Sequence, residues 1–116
     1  MTATTGPIVA YVPDLMDRSK VDAAAVAVGR TVVRVGRPDD LAGALADAGP
    51  AALVVVDLGR PGVLEALGPV TAAGATVIGF ASHVERDLAA AARAAGVTQV
   101  LARSAFFAGL PELLAP

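Results

Sequence analysis

Cysteine and tryptophan are absent from the 116 residues, and one tyrosine and three phenylalanines supply all the aromatic area. Without thiols the chain has no disulfide, no thiolate nucleophile and no cysteine-based zinc site. A single histidine, His83, cannot supply the paired imidazoles of common transition-metal centres and leaves serine–histidine–acid catalysis thinly provided. Lys20 is the sole lysine, the arginines are scattered, and the net charge is −2. No basic stripe exists to neutralise a phosphate backbone, so a nucleic-acid partner is not expected. No run approaches the roughly 18 apolar residues that span a membrane, and residues 1–6 lack the basic and apolar regions of a secretion signal. A cytoplasmic location away from membranes is expected.

What is abundant is small and aliphatic. Apolar residues make up 55% of the chain, mostly alanine and valine, and the length suits one domain with a real core. Residues 1–6 are expected to form a disordered tail, and residues 7–116 one compact unit.

Five short apolar runs stand out: Ile8–Val12, Thr31–Val35, Ala52–Val56, Thr76–Phe80 and Val97–Leu101. Between them lie alanine-rich stretches with one apolar stripe at helical spacing, such as Val21, Ala24, Ala25 and Val28, or Val84, Leu88, Ala91, Ala92 and Ala95. Gly29, Gly49, Gly74 and Gly96 each fall between a helical stripe and the next run, where a left-handed C-cap is favoured. Strand and helix alternate five times, which predicts a doubly wound, flavodoxin-like α/β domain, a parallel sheet of order 2-1-3-4-5 between two helical layers. The second run is the least apolar, and Arg30, Arg34 and Arg37 around it fit an edge strand protected by charge. Pro111 would break a helix running to the C-terminus, so a turn followed by a brief helix over residues 111–115 is expected. A leucine-rich repeat shares the period but needs a recurring leucine and asparagine pattern, and the chain has no asparagine.

In such a sheet, ligands gather outside the carboxyl ends of the strands, near the point where strand order reverses. The residues there are Pro13-Asp14, Asp57, Ala81-Ser82-His83 and Arg103-Ser104. Asp14 and Asp57 follow neighbouring strands and should converge. Two such carboxylates suit a hard divalent cation, with Mg2+ the one cofactor the residues suggest, and only weakly. An aspartate also accepts a phosphoryl group when metal and donors meet the developing charge.

The stretch Asp57-Leu58-Gly59-Arg60-Pro61-Gly62 resembles the response-regulator receiver domain, and Ala95–Arg103 is similar to that family's alanine–glycine-led fifth strand. The resemblance implies Asp57 as phosphoacceptor, Asp14, Asp57 and the Gly59 carbonyl as Mg2+ ligands, and Arg103 as a phosphate contact. Departures accompany it. The first acid of the family falls on Pro13, the hydroxyl residue on Ala81, the aromatic switch on Val100 and the lysine on Arg103. Guanidinium is forked and larger than ammonium, so Arg103 is no equivalent substitute. The expectation is an atypical receiver, or pseudo-receiver, of bacterial two-component signalling that acts by binding a protein and is not a turnover enzyme.

Plainer roles compete for the same residues. Asp14 also suits the N-cap of the first helix, Ser82-His83-Val84-Glu85 reads as a capping box, and Asp57 also suits a turn. His83 reads as a first-turn helix residue. Phe106 and Phe107 are candidate partner-surface residues, with packing beneath the final helix as the alternative. The partner would be a histidine kinase, a regulatory target or a second copy of the chain. Two other functions remain open: a conventional Mg2+-dependent phosphoacceptor using Asp57 and Arg103, and a small-ligand domain. The latter lacks a glycine-rich phosphate loop, a Walker-type lysine and a cobalamin-type histidine motif.

Overall fold

A computed structural model describes residues 6–82 and 85–115. In chain order the elements are β1 (Ile8–Tyr11), α1 (Leu15–Ala27), β2 (Val32–Arg34), α2 (Leu41–Ala48), β3 (Leu53–Asp57), α3 (Val63–Ala72), β4 (Thr76–Ala81), α4 (Arg86–Ala94), β5 (Gln99–Ala102) and α5 (Arg103–Ala108). Single 3-10 turns precede α2 at Pro38–Asp40 and follow α5 at Glu112–Leu114. The sheet has the expected order β2-β1-β3-β4-β5, and every neighbouring pair is parallel.

Side-chain alternation along the strands divides the core in two. Val9, Tyr11, Val54, Val56 and Val77 face α2 and α3, where Leu41, Leu45, Val63, Leu67 and Val70 meet them. Ile8, Ala10, Val55, Ile78 and Phe80 face the opposite layer, against Val21, Ala24 and Ala25 of α1 and Phe106 of α5. Both faces of β1 and β3 are therefore covered, which is why those runs are continuously apolar. β2 is partly open to solvent, as the expected edge strand, and its Arg34 pairs with Asp22 of α1. The four glycine stops all take positive φ, from 74° at Gly29 to 98° at Gly96.

Three expectations need correction. A helix precedes Pro111 instead of following it: α5 starts directly after β5, and only a 3-10 turn lies beyond the proline. Phe106, expected at a partner surface, has no exposed area, because its ring stacks on Phe80 with centroids 4.6 Å apart. Phe107 is half-buried, edge-on to both rings. Gly6, expected in the tail, is packed so closely on the Ala51 backbone that a β-carbon there would lie 2.4 Å from the Ala51 carbonyl carbon.

Gly6 is held by Arg30, whose guanidinium donates to the carbonyls of Gly6 at 3.0 Å, Leu114 at 3.0 Å and Ala51 at 3.3 Å. One side chain thus ties the start of the described chain, its end and the loop entering β3. Among the described residues no helix is long and apolar enough to cross a membrane. Replacing Arg30 by methionine leaves those carbonyls without their charged donor and is expected to cost about 2 kcal/mol. A lower urea midpoint at unchanged slope would register this; an unchanged midpoint would show that the clamp contributes nothing.

Candidate functional site

β3 ends in Asp57, whose backbone still pairs with Phe80 of β4 while its side chain turns to the carboxyl rim of the sheet. The residues that follow fix that side chain in place. Leu58 donates its N–H to the Phe80 carbonyl at 2.9 Å and buries its side chain over Gly79. A β-carbon on Gly79 would sit 2.7 Å from two Leu58 carbons, so β4 needs a glycine there to admit the leucine. Gly59 then donates its N–H to Asp57 Oδ1 at 3.1 Å, an Asx turn, and Arg60 Nε donates to Asp57 Oδ2 at 3.2 Å. Gly62 takes a left-handed φ of 83° and leads the chain into α3. Asp57 is 7% exposed, and each of its oxygens accepts a hydrogen bond.

Asp14 follows β1 on the same rim and caps α1, its Oδ1 accepting from the Asp17 N–H at 3.0 Å. That bond, above all, holds its carboxyl below the usual range against desolvation, which opposes it, with the Met16 N–H and the charges of Arg103 and Arg60 helping. Asp14 and Asp57 therefore share a rim, as expected, and the N-cap role of Asp14 is realised.

Asp17 was not anticipated. It lies one turn into α1, 3% exposed, and its oxygens accept both terminal nitrogens of Arg103 at 2.7 and 2.8 Å. The Asp17 hydrogen bond is the main cause raising the Arg103 guanidinium above its ordinary value, with the charges of Asp57 and Asp14 adding to it. Arg103 also lies over the rings of Phe80 and Phe107, 5.5 and 5.3 Å from their centroids, and Lys20 covers Phe107 at 5.2 Å. Arg103 thus reaches the rim, but its fork grips Asp17 instead of Asp57. A signal was present: Asp17 lies four residues before Val21, on the apolar stripe of α1, where a carboxylate demands a partner. Arg60 was also missed, and its only signal was a charge three residues after Asp57.

The fourth strand ends in Ala81, which has no hydroxyl, and Val100 of β5, opposite Gly79, brings no aromatic ring. Ser82 N–H donates to Glu85 Oε1 at 3.2 Å and Glu85 N–H donates to the Ser82 carbonyl at 3.0 Å, but α4 begins only at Arg86 with Glu85 at its N-cap, so the capping box expected at Ser82 does not cap the helix. His83 lies outside the described residues.

Mg2+ binds through a few carboxylates and retains waters, so it needs carboxylate oxygens free of competing cations. Here Asp57 already faces Arg60, Asp17 faces Arg103, and Asp14 accepts the cap bond. Among the described residues no three acidic or imidazole side chains stand together as a metal site. This donor set fits a divalent cation poorly. Gly59 offers its N–H to Asp57.

Removing the Arg103 guanidinium strands a buried carboxylate. Arg103→Met should destabilise the protein by about 2 kcal/mol, below the usual cost of breaking a buried pair because Arg103 is 45% exposed. Arg103→Lys should recover only part of that, since ammonium cannot bridge both oxygens. Denaturant unfolding of both variants in the Asp17→Asn background checks the pairing: the Arg103→Met loss should shrink there, and an undiminished loss would place the effect elsewhere.

By sequence, no protein-family model and no curated protein matches the chain. By structure, it is similar to NtrX from Brucella abortus, with a TM-score of 0.72 and 18% identity over 86% of this chain. The chain spans only 23% of that protein's length. A response regulator protein from Burkholderia multivorans is similar with a TM-score of 0.70 and 19% identity, covering 97% of this chain and 98% of its own. A CheY-like protein, tadZ, from Pseudomonas aeruginosa gives 0.66 and 19%, covering 94% and 98%. Together with the strand order and the rim that ends in Asp57, these likenesses establish that the chain has the fold of a response-regulator receiver domain.

Proposed function

We propose that the chain is a receiver-like signalling module that works by binding a protein partner, with Asp57 at the phosphoacceptor position of an incomplete site. The observation that carries this reading is the state of the Asp57 carboxylate, whose two oxygens already accept from Gly59 and Arg60. Phosphoryl transfer to an aspartate needs an oxygen free to attack and cations to meet the charge on the moving group. On this rim each Asp57 oxygen already holds a donor, one of them a guanidinium, Arg103 is bound to Asp17, and Ala81 offers no hydroxyl. Fold and strand-end position favour signalling over turnover.

Partner binding is supported by the surface between α4 and β5. An open groove of about 390 Å3 lies there, lined by Ala81, Ser82, Glu85, Ala89, Val100 and neighbouring residues. With no aromatic ring at Val100, this depression is shallow-walled and accessible. A histidine kinase, a regulatory target or a second copy are the partner classes this surface suits, in a cytoplasmic setting.

The rival is a conventional phosphoacceptor that uses Asp57 with Mg2+ and Arg103. Incubation with acetyl phosphate and Mg2+, followed by intact-mass measurement, separates the two. No mass gain is expected; a gain of one phosphoryl group that vanishes in Asp57→Asn would establish the rival.

A further inference from the structure

We infer that the Arg60 guanidinium is a built-in counter-cation for Asp57, standing in the electrostatic place of a divalent metal and making this rim independent of one. The inference rests on the receiver-like reading above and specifies how its site is kept neutral.

Asp57 is nearly buried, and an ionised carboxylate in that position needs a partner. Its Oδ1 takes a backbone N–H, which supplies a dipole but no charge. Among the described residues, the only formal cation in hydrogen-bond contact with it is Arg60, through Nε on Oδ2 at 3.2 Å. Arg103 contributes from further away but is gripped by Asp17. The contact is built into the local chain. Leu58 is locked under Gly79, Gly59 closes the Asx turn, and Val63 N–H returns to the Arg60 carbonyl at 3.4 Å, so the backbone carrying Arg60 is anchored on both sides. The reach is wider than one pair, since the Arg60 charge also helps lower the Asp14 carboxyl.

Other acids border the same point. The position a β-carbon of Gly59 would take is 3.5 Å from Asp57 Oδ1 and 3.4 Å from Glu85 Oε1, so two carboxylates flank the bare glycine. Arg60, Gly59 and Glu85 also line one open groove. With Arg60 present, a divalent cation entering there must displace the guanidinium or sit against it, two positive charges against one. Without Arg60, Asp57 loses its contacting cation, and its oxygens together with the neighbouring Glu85 carboxylate suit Mg2+ or Mn2+ with waters completing the shell. The arginine therefore excludes the metal as well as replacing it.

The test is Mn2+ binding, read by water-proton relaxation, to the wild-type chain and to Arg60→Ala and Arg60→Gln, with Mg2+ as competitor. Arg60 is 41% exposed in a loop, and the two substitutions differ in polarity and length, so a folding defect in one leaves the other to report. The wild type is expected to show no specific Mn2+ site. Each variant should bind at least about tenfold more tightly, as expected when a like charge in contact is removed, and Asp57→Asn should abolish the gain. A wild-type chain that binds Mn2+ as well as the variants, or variants that gain nothing, would overturn the inference. The two readings fail separately: a wild-type chain that takes up a phosphoryl group removes the proposed function, whereas variants that fail to bind metal remove only the role given to Arg60.

Discussion

Parallel pairing of β3 with both β1 and β4 is the constraint on which the rest of the structure depends. Five residues, Leu53–Asp57, are buried on both faces, and the run of leucine and valines gives way to a carboxylate only at its last position. Because β1 lies on one side and β4 on the other, the loops after those strands open onto the same rim as Asp57. The apolar interior thus delivers a negative charge to the switch point of the sheet, and the surrounding residues must neutralise it there. Everything distinctive about this chain lies in how that is done.

Arg60 does it directly, while Arg103 answers the buried Asp17 close by. Arg60 is local, three residues beyond its partner, and turns the loop after β3 into a closed electrostatic unit. Arg103 is remote in sequence and binds Asp17 across 86 positions, joining the first helix to the junction of β5 and α5. A guanidinium with two aligned bonds to one carboxylate is held in orientation as well as in position, unlike an ammonium, which pivots as a point charge. The stacked Phe80 and Phe106 beneath it, and the half-buried Phe107 beside it, leave Arg103 little reason to move. A rim organised in this way behaves as a fixed surface and suits recognition better than chemistry.

Much of the fold was legible because its determinants are periodic or local. Apolar runs bounded by glycine located all five strands to within two residues, and the weak, arginine-flanked second run located an edge. Asp57 was legible from its place at a strand end leading into Leu58-Gly59-Arg60-Pro61-Gly62, whereas the Ser82–Glu85 spacing was read as a cap although α4 starts later, at Arg86. The missed features depend on contacts distant in sequence. Arg30 looked like edge-strand charge, yet it gathers carbonyls from Gly6, Ala51 and Leu114, and no local pattern announces such a cluster. Phe106 and Phe107 are adjacent and identical in type, so only helix phase, fixed by where α5 begins, decides that the first ring enters the core. Asp17 was half legible, as an acid on an apolar stripe, but its partner was not.

The central claim is that Asp57 is already held by Arg60 and Gly59, and nuclear magnetic resonance of a 15N-labelled chain reads both donors directly. Correlations of the Gly59 N–H and the Arg60 Nε–H should stay in place when Mg2+ and beryllofluoride, which stands in for a phosphoryl group, are added together. Large shifts confined to those two signals, with the Arg60 Nε–H released to fast solvent exchange, would contradict the account and show an open phosphoacceptor.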